Sequence, residues 1–188
     1  MVAEYIPAKL MMQIESFMLP ENAFALRLMR KHGMRISDCL NLKARDFTYC
    51  QMGLQECVTY TEQKTGKQRS FKPDLDDYIS VSKINRGHSE YVFPGQGRTG
   101  HRTRQAVWKD LHRVAQLYRV DGHKLCRNLG THTARKIYAV KLFEESIRNG
   151  EGDPMDIVRV NLNHSDKAVT FLYAMADEIA AKRHAGKM

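Results

Sequence analysis

The hexapeptide Thr131-His132-Thr133-Ala134-Arg135-Lys136 constrains this chain more than any other stretch. It opens an amphipathic segment, Ala134 to Ile147, whose apolar residues recur at helical spacing. Positions i and i+3 of a helix share a face, so His132 and Arg135 are expected to point at one spot. An imidazole beside a guanidinium suits an anionic oxygen better than a metal, because arginine cannot ligate and its planar fork fits phosphate. An isolated His-x-x-Arg is ordinarily a pair of solvated polar residues, so the rest of the chain has to decide.

The charge balance agrees with an anionic partner. Among 188 residues, 30 Lys and Arg oppose 21 Asp and Glu, a formal charge of +9, which favours a polyanion such as nucleic acid. The hydrophobic fraction of 43% and charged fraction of 27% are those of an ordinary globule with a real core. Cys39, Cys50, Cys57 and Cys126 form no CxxC pair and read as reduced, mostly buried thiols. His123-x-x-Cys126 is half a metal site without a second half in view. No run of 18 apolar residues and no signal peptide appears, so a soluble, cytoplasmic protein is expected.

In chain order, Ala8 to Met18 is a helix expected to stop at Pro20, and Glu21 to His32 a second with Gly33 just past its end. Ser37 is expected to cap a short helix whose Leu40 faces the core, leaving Arg35 at a loop-to-helix junction between Met34 and Ile36. Cys57 to Thr61 and Arg69 to Phe71 read as a hairpin, with Lys64-Thr65-Gly66-Lys67 at its tip. A helix follows over Leu75 to Lys83. Arg98 to Arg119 is the most basic stretch, and Val107, Leu111, Val114 and Tyr118 give it one apolar face. Its cations Arg98, Arg102, Arg104, Lys109 and Arg113, with Lys67 of the hairpin, are the candidate DNA-binding surface. Asn149-Gly150 ends the His132 helix, Asp153-Pro154 starts another that ends near Leu162, and Ser165 caps a last helix over Lys167 to Arg183. The fold class is mainly α with one small antiparallel β-sheet, and the whole of 1–188 reads as one domain.

Five motifs stand in a telling order: Gly33-Met34-Arg35-Ile36-Ser37-Asp38, the Lys64-Thr65-Gly66 hairpin, His132-x-x-Arg135, Leu162-Asn163-His164-Ser165, and Tyr173 nine residues after His164. In this the chain resembles the catalytic domain of a tyrosine recombinase, the phage-integrase family, from about Glu21 to about Met175. Ala134, Lys136, Asn163 and Asp38 depart mildly from the usual residues at positions that support the core set.

The resemblance implies a site-specific DNA recombinase working through a 3′-phosphotyrosyl intermediate, with no metal or ATP. It implies Tyr173 as nucleophile, Arg35 and Arg135 on the non-bridging phosphate oxygens, and His132 on the tyrosine proton. Lys64 would be the acid for the leaving 5′-oxygen, ahead of Lys67, and His164 a further phosphate hydrogen bonder. It also implies double-stranded DNA as partner, a monomer in solution, and a tetramer on paired sites. The tail 174–188 would be exchanged between protomers. Nothing before Glu21 is long enough for the family's N-terminal core-binding domain, and a bacterial cell or phage is the expected source. A type IB topoisomerase, a telomere resolvase and a catalytically silent DNA-binding regulator are the rival readings.

Overall fold

Helix α2 (Pro20–His32) is the element the rest of the chain packs around. Phe24, Ala25, Leu26, Leu28 and Met29 are all buried, which is more than one stripe and marks a central helix. The computed structural model describes residues 3–47, 49–50, 53–54, 57–86, 89–120, 123–124, 126 and 128–162.

Helix α1 (Ala8–Glu15) is shorter than expected. Phe17 N–H bonds to Ile14 O and Met18 N–H to Glu15 O, i→i−3 bonds that tighten and close it well before Pro20. Pro20 is instead the first residue of α2, where its fixed φ suits the helix and its missing N–H costs nothing. Gly33 ends α2 with φ 67°, in the left-handed region, as its place in the sequence predicted. A Cβ there would also lie 2.5 Å from Cδ1 of Tyr138, so two independent demands select glycine.

Helix α3 (Ile36–Leu40) is capped by extended Arg35 and not by Ser37, because Ile36 is already helical and places Ser37 inside the first turn. Met34 and Ile36 are buried on either side of Arg35, and Leu40 faces the core, both as expected. Three two-stranded antiparallel ladders occur among the described residues where one was expected: β1 (Tyr49–Cys50) with β2 (Gly53–Leu54), β3 (Val58–Thr61) with β4 (Gln68–Phe71), and β5 (Arg119–Val120) with β6 (His123–Lys124). The two extra ladders are two residues per strand, too short for periodicity to register. In the β3–β4 hairpin Val58 pairs with Phe71 and both are buried, while Thr61 pairs with Gln68 beside the tip.

Helix α4 (Leu75–Ile84) is fixed by Asp74 and Asp77, each accepting the other's backbone N–H. Helix α5 (Arg104–Ala115) has its cap on Thr103 and buries Val107, Leu111 and Val114. Helices α6 (Thr131–Asn149) and α7 (Pro154–Leu162) follow; α6 lies between α2 and α7. Asp153 accepts from Met155 N–H at the start of α7, and Gly150 ends α6 at φ 68°, both as the sequence indicated. Among the described cysteines, Cys39 and Cys126 are buried, in line with mostly buried thiols, and Cys57 is exposed. No helix of the described residues is long and apolar enough to cross a membrane.

Candidate active site

The first turn of α6 is held by the N-terminal segment. Thr133 Oγ1 accepts from Gly130 N–H and donates to Glu4 O at 2.8 Å, while Lys136 Nζ donates to Ala3 O at 2.7 Å. Burial lowers the Lys136 pKa by desolvating its ammonium. No local signal marks residues 3–4 as the brace of this helix.

Arg135 is buried on the same helix. Its Nη1 donates to Gly33 O at 2.7 Å and its Nη2 to Leu162 O. Gly33 follows the last turn of α2 and Leu162 is the last residue of α7, so two helix C-termini with their negative dipole ends meet on one guanidinium. His132, three residues earlier, is exposed beside an open cavity of about 570 Å³, which Arg104, Gln105, Trp108 and Gly130 also line. Although its rim meets solvent, the surrounding protein desolvates the ring enough to lower its pKa. The charges of Arg135, Arg104, Arg35 and Lys136 then push it further down. The imidazole is therefore mainly neutral at pH 7, amid four cations drawn from three places in the chain.

Arg35 is the farthest of these in sequence. Its Nη1 lies 2.8 Å from Glu62 Oε2 and 3.9 Å from Asp38 Oδ2. The contact with Glu62 is close, yet Nη1 is buried and makes no aligned hydrogen bond among the described residues; Asp38 Oδ2 makes none either. Such a donor has capacity left for another acceptor. Asp38 Oδ1 accepts from Gln63 N–H at 2.9 Å, and burial raises the Asp38 pKa. Lys64 and Lys67 are both exposed at the hairpin tip. His164 and Tyr173 lie outside the described residues.

The candidate DNA surface divides. Arg104 belongs with the site, since it lines the cavity with His132. Arg98 and Lys109 are exposed. Arg102 is half-buried and donates to Asn22, and Arg113 pairs with Asp110 at 2.7 Å and reaches Phe17 O. Asp110 is buried and also accepts from Leu19 N–H and Asn22, so these two arginines fasten α5 to the start of α2. Both therefore hold the fold at the α5–α2 contact, and Arg113 is exposed as well. Sequence reading also missed Glu62: a lone acid two residues before Lys64 looks solvated, and only the fold turns it onto Arg35.

The chain matches the phage integrase family over residues 8–178. It belongs to that family. A probable integrase/recombinase protein of Methanocaldococcus jannaschii is 26% identical over 166 residues, covering 85% of this chain and 47% of that protein. The chain thus spans about half the length of its curated relative, and an archaeal relative leaves family membership no guide to a bacterial or phage source. Among solved structures, the fold is similar to XerH site-specific recombinase in a post-cleavage complex with a palindromic difH substrate. That likeness has a TM-score of 0.63 and 15% identity, over 100% of this chain and 54% of that one. A lambda integrase dimer bound to a COC' core site gives a TM-score of 0.64 at 14% identity, over 93% and 48%. A lambda integrase tetramer bound to a Holliday junction gives 0.63 at 12%, over 92% and 48%.

Proposed function

We propose that this chain is the catalytic domain of a site-specific DNA recombinase that cleaves and rejoins DNA through Tyr173. The observation that carries the reading is the convergence of Arg35, Arg135, Arg104 and Lys136 about a neutral His132. Cations from separate elements, gathered beside one candidate base, suit a site for a phosphodiester undergoing displacement. The family membership and the two DNA-bound recombinases of like fold point the same way.

In this scheme the Tyr173 oxygen attacks the scissile phosphorus. The Tyr–O–P bond forms as the P–O5′ bond breaks, so the phosphodiester energy is kept and rejoining is the same step reversed. His132, neutral beforehand, takes the tyrosine proton; Lys64 gives one to the leaving 5′-oxygen. Arg35 and Arg135, with His164, hold the non-bridging oxygens where charge accumulates. Arg135 does so with its guanidinium fork already oriented by two carbonyls. On paired sites the protein is expected to act as a tetramer, as one solved lambda integrase does on a Holliday junction.

A nicked DNA substrate that loses its 5′ end after cleavage traps the intermediate. The wild-type chain is expected to form a covalent adduct on denaturing gels and Tyr173→Phe none, with folding unchanged. An adduct that persists in Tyr173→Phe means another nucleophile. Strand transfer between two duplexes separates a recombinase from a topoisomerase.

A further inference from the structure

Lys64 is exposed, yet both of its neighbours are tied to acids that face Arg35. On one side Gln63 N–H donates to Asp38 Oδ1 at 2.9 Å. On the other, Thr65 Oγ1 donates to Glu62 Oε2 at 2.6 Å, and that same oxygen lies 2.8 Å from Arg35 Nη1. Glu62 also closes the turn through its backbone, its N–H on Lys67 O and its C=O taking Gly66 N–H. Its other oxygen faces Arg69 Nη1 at 3.9 Å. Glu62 is 2% exposed, although it sits at the mouth of a hairpin whose tip is otherwise open. A buried carboxylate has to be matched by cations and donors, and here the match is made across two elements.

We infer that Glu62 is a positioning residue: one carboxylate oxygen couples the guanidinium of Arg35 to the loop that carries Lys64, so that phosphate grip and leaving-group acid are set in one geometry. Thr65 is the other half of the link. The inference rests on the roles of Arg35 and Lys64 proposed above. A general acid on a loose loop would lose much of its advantage, because misplacement by an ångström already costs heavily in rate. Fastening the loop through the residue on each side of Lys64 supplies that placement and leaves the amine itself free to move its proton.

The test uses the full chain on the trapping substrate, with ordinary DNA and with DNA whose bridging 5′-oxygen is sulfur, a leaving group that needs no acid. Thr65→Val removes the hydroxyl at an exposed position, and is expected to slow the oxygen substrate by about tenfold, within the range of general-acid contributions, while leaving the sulfur substrate close to wild type. Thr65→Ser restores the rate. Glu62→Gln slows both substrates, the oxygen one more, because Arg35 is disturbed too. Adding Thr65→Val to Glu62→Gln changes nothing further, since both act through one oxygen.

Multiplying effects, equal slowing of both substrates by Thr65→Val, or no slowing would overturn the inference. Amide exchange at Gly66 reports the same link without DNA, and is expected to quicken in Glu62→Gln and Thr65→Val; unchanged exchange counts against it. Lys64→Ala and Arg35→Ala in the same assay separate the two levels. If either cleaves ordinary DNA like the wild type, the underlying assignment has failed, whatever Glu62 does.

Discussion

Arg135 shows how one side chain can serve architecture and chemistry together. Its fork satisfies the carbonyls of Gly33 and Leu162, which are 102 and 27 residues away in sequence. Arg135→Ala removes the donor from both acceptors, and is expected to cost about 2–6 kcal/mol of stability at about 1–3 kcal/mol for each lost partner. Arg135→Lys has no fork to span both, so it should fall between; urea melts of the two variants check the order. A melt of Arg135→Ala matching the wild type would show that the carbonyls find other donors.

His132 makes a prediction of opposite kind. Its folded pKa lies below the unfolded value of 6.5, so the unfolded chain binds more protons on the acid side. Its contribution to stability is therefore present above about pH 6.5 and is lost as pH falls through the lowered folded value. His132→Asn should flatten that part of the stability–pH curve. The spacing of His132 and Arg135 was legible because helical geometry is local. Their partners were not, because nothing in the sequence says which carbonyl will arrive across the fold.

At the scale of elements, helices with strong end signals were legible and cation roles were not. Gly33, Gly150 and Asp153 marked their boundaries because capping is a matter of neighbouring residues. The arginines in and just before α5 form a single basic run in sequence, yet Arg102 and Arg113 also bond to buried Asn22 and Asp110 at the contact with α2. Long-range pairing of that sort leaves no periodic trace.

Mutation separates a role in DNA binding from a role in the fold. Arg104→Ala with Lys109→Ala should weaken binding to all sequences alike and reduce the slope of log K against log salt by about two, at roughly 0.9 for each phosphate contact. Arg102→Ala and Arg113→Ala should lower the melting temperature, because the first releases buried Asn22 of α2 and the second buried Asp110 of α5. An unchanged salt slope in the first pair would place α5 away from the DNA backbone.

The whole molecule raises the question of how subunits would find each other. Met175, Ala176, Ile179, Ala180 and Ala181 form a small apolar stripe in sequence, followed by Lys182, Arg183 and Lys187, all outside the described residues. A stripe of that size can fold onto its own domain or seat in a groove on a neighbour. Exchange from each subunit to the next is a heterologous contact, which ends only when the ring closes. A closed ring needs DNA to bring the subunits together, so the tail is expected to leave the free protein monomeric and to link protomers only on paired sites. Deleting 177–188 should then spare cleavage of a single site, which needs only Tyr173 and the residues around the phosphate, while strand exchange between two sites falls at least several-fold. Light scattering with and without a paired-site DNA should give one mass for the truncated protein per site and the fourfold assembly only for the full chain. If the truncated protein exchanges strands as well as the full chain, the apolar stripe packs at home and the subunits meet through another surface.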